Sequence, residues 1–444
     1  MTSARNRELL ALVPVALLLT AGFAAVFAQE NDKLGDLSLT YGAYFLAICL
    51  ATHIYLRIRL PNADPYLFPL VATLTTFGLV MIYRLDETLA RDQANWFVLG
   101  LVLFALTIHF LRDYDVLERY RYTIAIAGLL LLLAPRVPGI GQQVNGAYLG
   151  VKIGPLAFQP AEFTKLAIVV FLASYLREHR EVLIVGARRI LGVTLPPLKH
   201  FGPLLVVWGA SMFMLVFIRD LGSSLMFFAA FLALLYVATG RFSFVAIGMG
   251  MFLLGAWFFA NTVPHVQDRI NVWLHPYEDA ENTGYQILNS IFAQADGGLF
   301  GKGFGEALVT VPGTDNALLP AAHTDMIYAL IVNEVGLFGA VGVVLVYLLI
   351  AARGFKIALL ASDGFSKLLA TGLTAVFAIQ AFVIIGGVTR VIPLTGVTLP
   401  FISYGGSSIL ANFVLLALLL LVSDRARREA AEPAGRVASL GAPA

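Results

Sequence analysis

The sequence predicts an all-α, polytopic membrane protein. Three observations carry that expectation: a composition poor in charge, apolar runs of spanning length, and an uneven distribution of Lys and Arg. Of 444 residues, 59% are hydrophobic and 13% charged, and mean hydropathy is +0.82, whereas soluble domains carry about 25% charged residues. Crossing ~30 Å of hydrocarbon takes about 20 apolar residues in a helix. Such runs occur at 9–28, 38–56, 66–83, 94–111, 122–135, 161–176, 201–218, 222–239, 242–261, 325–351, 366–387 and 405–423, about twelve spans in all. The run at 122–135 is short, and the division of 201–239 around Arg219-Asp220 is the least defined.

The first run follows Arg5 and Arg7, and Val26-Phe27-Ala28 resembles a signal-peptidase site. At Leu9–Ala28 it exceeds the ~7–15 residues of a signal-peptide core, so an uncleaved first span is expected. An even number of spans places both termini on one side, and Lys/Arg placement decides which. Of 30 Lys and Arg, 20 fall on the side of the termini and 10 on the other. The expectation is a multi-pass protein of the cytoplasmic (inner) membrane with both termini in the cytoplasm. A net charge of +2 gives no reason to expect nucleic acid. The single cysteine, Cys49, lies in an apolar run and reads as a small buried hydrophobe.

Three segments assigned outside the cytoplasm hold most of the polar chemistry: 135–159, 261–324 and the Gly/Pro/Ser/Thr-rich 386–406. Irregular backbone at membrane depth is tolerated only where protein buries it or it lines a cavity. Intramembrane charge is a functional hypothesis in its own right. Glu162 and Lys165 stand three residues apart at the head of the sixth run, placed either to pair structurally or to meet a ligand. Arg219-Asp220 forms a similar doublet. Leu319-Pro-Ala-Ala-His323-Thr324-Asp325 ends the longest outer segment, where Asp or Thr reads as a helix cap and Asp325 reads alternatively as a carboxylate within reach of a substrate hydroxyl. Glu334 lies nine residues on and on another helix face, so paired-carboxylate glycosidase chemistry is not indicated. His265, His275 and His323 lack metal-ligand spacing, and neither a cofactor nor a divalent cation is indicated.

Several motifs then match a family. They are Asn145-Gly146-Ala147, Phe158-Gln159-Pro160-Ala161-Glu162-Phe163-Thr164-Lys165, Asp220-Leu221-Gly222-Ser223-Ser224, Gly284-Tyr285-Gln286, Gly301-Lys302-Gly303-Phe304-Gly305 and His323-Thr324-Asp325. The longest runs from Pro393 to Ser408, PLTGVTLPFISYGGSS. In this order and on the outer side, the chain resembles the SEDS proteins, the RodA/FtsW membrane glycosyltransferases of bacterial cell-wall synthesis. The resemblance implies a ten-helix core over 63–424, preceded by two extra helices within 1–62, and the composition of 425–444, rich in Ala, Arg, Gly and Pro, predicts a disordered cytoplasmic tail. It also implies polymerisation of lipid II into β-1,4 glycan strands on the extracytoplasmic face, with undecaprenyl diphosphate released. Cell elongation fits the approach Val388-Thr389-Arg390-Val391-Ile392 better than septal, FtsW-like use. A lipid II flippase and a non-catalytic scaffold are the rival readings. The implied partner is a class B penicillin-binding protein, a transpeptidase.

By the same resemblance, Asp325 is the general base on the acceptor hydroxyl. Lys165, Arg219, Lys302 and Arg390 are the candidate cations for the leaving diphosphate, with Glu162 orienting Lys165. His323, Thr324, Tyr404 and Ser407 are further substrate-binding candidates. The sequence departs from the family pattern at Leu149-Gly150, where Arg-Trp is common, at Ala321, where Glu is common, and at Arg219 and Arg390.

Overall fold

The chain forms a bundle of long helices in a computed structural model that describes residues 4–30, 36–144, 147–154, 156–185, 188–190, 193–195, 209, 218, 220–307, 309–310 and 317–431. The expected span 201–218, Arg219 and the Asn145-Gly146 pair lie almost wholly outside these residues. Among the described residues, eight helices are long and apolar enough to cross a membrane. They are α1 (Ala4–Glu30), α3 (Leu67–Leu85), α4 (Glu87–Phe110), α8 (Leu221–Thr239), α9 (Phe242–Thr262), α12 (Ile327–Leu360), α13 (Gly364–Val388) and α14 (Gly406–Ala431). The expected spans 38–56, 122–135 and 161–176 fall on α2 (Asp36–Arg59), α6 (Arg121–Leu133) and α7 (Pro160–Val185), with the short α5 (Asp115–Arg119) before α6.

Burial separates centre from edge. α3, α13 and α14 bury 78% of their apolar windows, and α9 only 6%, so α9 stands at the edge of the described bundle. Where the sequence showed only a loop at 135–159, Gly141–Val144, Ala147–Ile153 and Leu156–Phe158 form a three-stranded antiparallel sheet.

α1 packs along α2 and α3. Its buried Arg5 and Glu8 pair, Glu8 Oε1 meets His53 Nδ1 at 2.8 Å, and Arg5 donates to the Ala63 carbonyl. Arg5 also feels the charges of Asp424 and Arg427, so the start of α1 and the end of α14 share one end of the bundle. The Asn62 N–H donates to Asp424 Oδ1 at 2.8 Å and the Asp64 N–H to Ser423 Oγ at 3.0 Å. α14 continues to Ala431, so the expected disordered tail cannot begin at 425. The physical reason is an anchor: Arg425 grips both oxygens of Asp115 at 2.8 and 2.9 Å.

α12 is broken at Gly336 (φ 71°, ψ −179°). A break leaves carbonyls and N–H groups without helical partners, and the glycine-rich segment 298–303 supplies them. The Lys302 and Gly303 N–H groups donate to the carbonyls of Asn333 and Glu334 at 2.9 and 3.0 Å. The N–H groups of Leu337 and Phe338 in turn donate to the carbonyls of Gly298 and Leu299 at 2.9 and 3.1 Å. Glycine is required by contact: a Cβ on Gly301 (φ 81°) would lie 2.1 Å from the Glu334 carbonyl oxygen. The buried Glu334 carboxylate meets Arg84 of α3, Nε to Oε1 2.6 Å.

Candidate active site

The block at 393–408 enters the core and clamps the segment before α12. Leu399, Phe401 and Ile402 are buried, and Ile402 lies so close to α3 that a Cβ on Gly78 would stand 2.5 Å from its carbonyl oxygen. Ser403 Oγ donates to the Thr324 carbonyl at 2.8 Å, the Tyr404 N–H donates to the His323 carbonyl at 2.8 Å, and the two rings meet edge-on at 5.8 Å. Gln93 of α4 donates to the Ser403 carbonyl and accepts from the Gly405 N–H. Thr324 and His323 are thereby held through their backbones, which fixes the position of Asp325.

Asp325 does not cap α12. The first residue flanking that helix is Met326, with no side-chain cap, and the Met326 N–H bonds to the Ala321 carbonyl at 3.0 Å. Among the described residues the Asp325 carboxylate accepts no hydrogen bond. It faces a cavity of about 410 Å³ bounded by α10 (Pro264–Leu274), the first turn of α11 (Tyr285–Gly297), Ala321, Leu394 and Gly396. Burial pushes its pKa up to about 6, against the pull of the Arg269 guanidinium and with the repulsion of Asp220.

Arg269 of α10 was not singled out by the sequence. It donates to the Leu394 carbonyl at 2.5 Å and acts electrostatically on both Asp325 and Asp220. Asp220 caps α8 by accepting from the Ser223 N–H at 2.9 Å and from Ser223 Oγ at 2.6 Å. Burial raises its pKa in spite of these bonds, and the charge of Glu162 adds to the effect. Burial also lowers the pKa of His323, which favours the neutral imidazole, while Asp86 opposes the shift.

The other candidates are distributed differently. Lys165 is fully buried and donates to Glu162 at 2.5 Å, Gln380 at 2.7 Å and Asn412 at 3.3 Å. All three ammonium protons therefore have acceptors inside the bundle, and Lys165 does not line the cavity. Lys302 pairs with Asp296 at 2.9 Å beside the helix break. Arg390 (φ 61°) donates to the Trp273 and Leu274 carbonyls at 2.7 and 2.9 Å, and Trp273 Nε1 returns a bond to the Arg390 carbonyl at 3.1 Å. Arg390 thus binds the end of α10 to the 390–394 wall. Ser407 Oγ accepts from the Gln159 N–H at 2.8 Å. Among the described residues no three His, Cys, Asp or Glu gather as metal ligands.

The profile of the FtsW/RodA/SpoVE family, described as "Cell cycle protein", matches residues 65–428. The chain belongs to this family. The peptidoglycan glycosyltransferase RodA of Mycobacterium tuberculosis (strain ATCC 25618 / H37Rv) is 40% identical over 435 residues, covering 96% of this chain and 91% of the relative. A probable peptidoglycan glycosyltransferase FtsW of Geobacter metallireducens (strain ATCC 53774 / DSM 7210 / GS-15) is 32% identical over 374 residues, 82% of this chain and 95% of the relative. Among solved structures, a chain from "Structural coordination of polymerization and crosslinking by a peptidoglycan synthase complex" superposes with a TM-score of 0.65 at 27% identity, over 84% of this chain and 99% of that one.

Proposed function

We propose that the chain is a RodA-type peptidoglycan glycosyltransferase that extends β-1,4 glycan strands from lipid II at the outer face of the cytoplasmic membrane. Family membership and 40% identity to a RodA against 32% to an FtsW support the type. The placement of Lys and Arg supports the orientation. The observation that carries the mechanism is the Asp325 carboxylate, free of hydrogen bonds among the described residues, facing a cavity beside Arg269.

A general base works best with a pKa near the operating pH, and Asp325 at about 6 meets that condition. The acceptor 4-hydroxyl oxygen attacks the donor's anomeric carbon while Asp325 takes the hydroxyl proton. The bond from that carbon to the diphosphate breaks, and its electron pair leaves with undecaprenyl diphosphate. One displacement inverts the α-linked donor to the β linkage. Arg269 is the cation placed to offset charge gathering on the diphosphate. The core of this activity is 63–424, and a class B penicillin-binding protein is the proposed partner that cross-links the product.

The test is polymerisation of purified lipid II by the purified chain. Asp325→Asn, folded by its melting curve, should lose activity by at least about 100-fold. Retention of activity would reject the base.

A further inference from the structure

At the end of the bundle that carries the start of α1 and the end of α14, a cavity of about 210 Å³ opens between the last turn of α2, the C-terminal end of α4 and the end of α14. Arg59, Arg112, Arg425 and Arg428 line it, with Asp424 as the lone carboxylate. Arg425 is already held by Asp115 and by Glu429, the latter at 3.2 Å. Asp424 accepts the Asn62 N–H at 2.8 Å. Arg59 donates to His109 Nδ1 at 2.9 Å, a partner that is neutral when it accepts. Arg112 and Arg428 are exposed and make no ion pair or hydrogen bond among the described residues. Three guanidiniums without an acidic partner therefore converge on one opening.

The positive-inside rule accounts for arginines at this end, but not for their convergence without acids. A second basic cluster shows the contrast. Around Arg119 and Arg121, Arg121 pairs with Glu178, and Arg177 pairs with Glu118 at 2.5 Å. That surface has its counter-charges built in, and the cavity at Arg112 and Arg428 does not.

We infer that this cavity binds the phosphate of an anionic phospholipid headgroup. Guanidinium groups match phosphate oxygens in two-point hydrogen bonding, and basic pockets between membrane helices are suited to acidic headgroups. The lipid source, rather than free phosphate, follows from the flanks. Ile58, on the rim, is 72% exposed, and Phe110, at the end of α4 two residues before Arg112, is 76% exposed. An apolar flank beside a basic opening fits acyl chains and headgroup of one molecule. On the proposed orientation this is the cytoplasmic leaflet, the opposite end from Asp325, so binding is read without reference to polymerisation.

The test is native mass spectrometry of the full chain in detergent, titrated separately with phosphatidylglycerol, phosphatidylcholine and inorganic phosphate. Phosphatidylglycerol should be retained at the lowest concentration. Arg112→Gln/Arg428→Gln should raise its half-occupancy concentration by roughly tenfold or more, with melting unchanged because neither side chain has a partner to lose. Arg119→Gln/Lys356→Gln, which removes the same charge from exposed positions elsewhere, should leave that concentration unchanged. Equal retention of phosphatidylcholine, or equal losses in the two double variants, would overturn the site. Displacement of the lipid by equimolar inorganic phosphate would overturn its assignment to a lipid.

Discussion

Asp325 Oδ2 lies 3.8 Å from the point where a side chain on Gly396 would begin. Arg269 Nη2 stands at the same 3.8 Å from that point, and Gly396 holds φ 72°. A methyl group there would touch acid and cation together and strain the backbone by about 1–2 kcal/mol. Gly396→Ala should lower lipid II polymerisation by about tenfold or more, since relieving the strain at φ 72° would shift the cavity wall that Asp325 and Arg269 share. Its melting temperature should fall by only a few degrees. Full activity in a strand-length assay would show that the wall carries no positional constraint.

On the proposed role of Asp325 as general base, its carboxyl sets the pH dependence. The base must be ionised, so polymerisation should rise with pH through about 6 and then level. Arg269→Gln removes the group that pulls this pKa down, which should move the inflection upward. Stability runs the other way. A carboxyl raised from 3.8 to about 6 contributes stability below its unfolded pKa, and this is lost as pH rises through its folded pKa. Asp325→Asn should therefore melt above the parent chain at pH 7.5, with the difference closing toward pH 4. Melting curves at the two pH values check the sign.

Lys165 and Glu162 give a third expectation. Lys165→Met strands a buried carboxylate and should cost roughly 3–5 kcal/mol, seen as poor recovery of folded protein in detergent. Glu162→Gln/Lys165→Met removes both charges and should restore most of the yield. If the double variant recovers no better than the single, the pair does more than balance charge.

The glycine segment at the helix break is testable by comparison. Gly301→Ala meets the Glu334 carbonyl oxygen at 2.1 Å with φ 81°, and should cost several kcal/mol, on the order of 3. Gly342→Ala, in the regular part of α12 with open space around it, should be neutral or stabilising by about 0.5–1 kcal/mol. Thermal melting of the two variants decides.

Eight of the expected spans were legible among the described residues because lipid demands long apolar helices, and hydropathy records that demand directly. Asp325 was legible through its motif, although its freedom from capping was not. Arg269 was hidden because its contact with Leu394 spans 125 residues, and nothing local to 264–274 marks that approach. Lys165 showed its neighbour Glu162, but Gln380 and Asn412 lie 215 and 247 residues away. Without them a buried hub and a ligand cation look alike. Gly301-Lys302-Gly303 marked the family, yet its work of closing a broken helix depends on the backbone of a different element. The small sheet at 141–158 was unreadable because its short strands carry no strong alternation of apolar and polar residues.

The break in α12 also governs height. A straight helix over its 34 residues would measure ~51 Å at 1.5 Å per residue, well beyond the ~30 Å of hydrocarbon. Asp325, just ahead of the first turn, would then ride high above the membrane surface. With the bend at Gly336, the opening nine residues of α12 lie off the line of the remainder, and the long span need not carry Asp325 into open water. On the proposed function, a carboxylate kept low in this way can address a hydroxyl on a sugar whose tether does not lengthen.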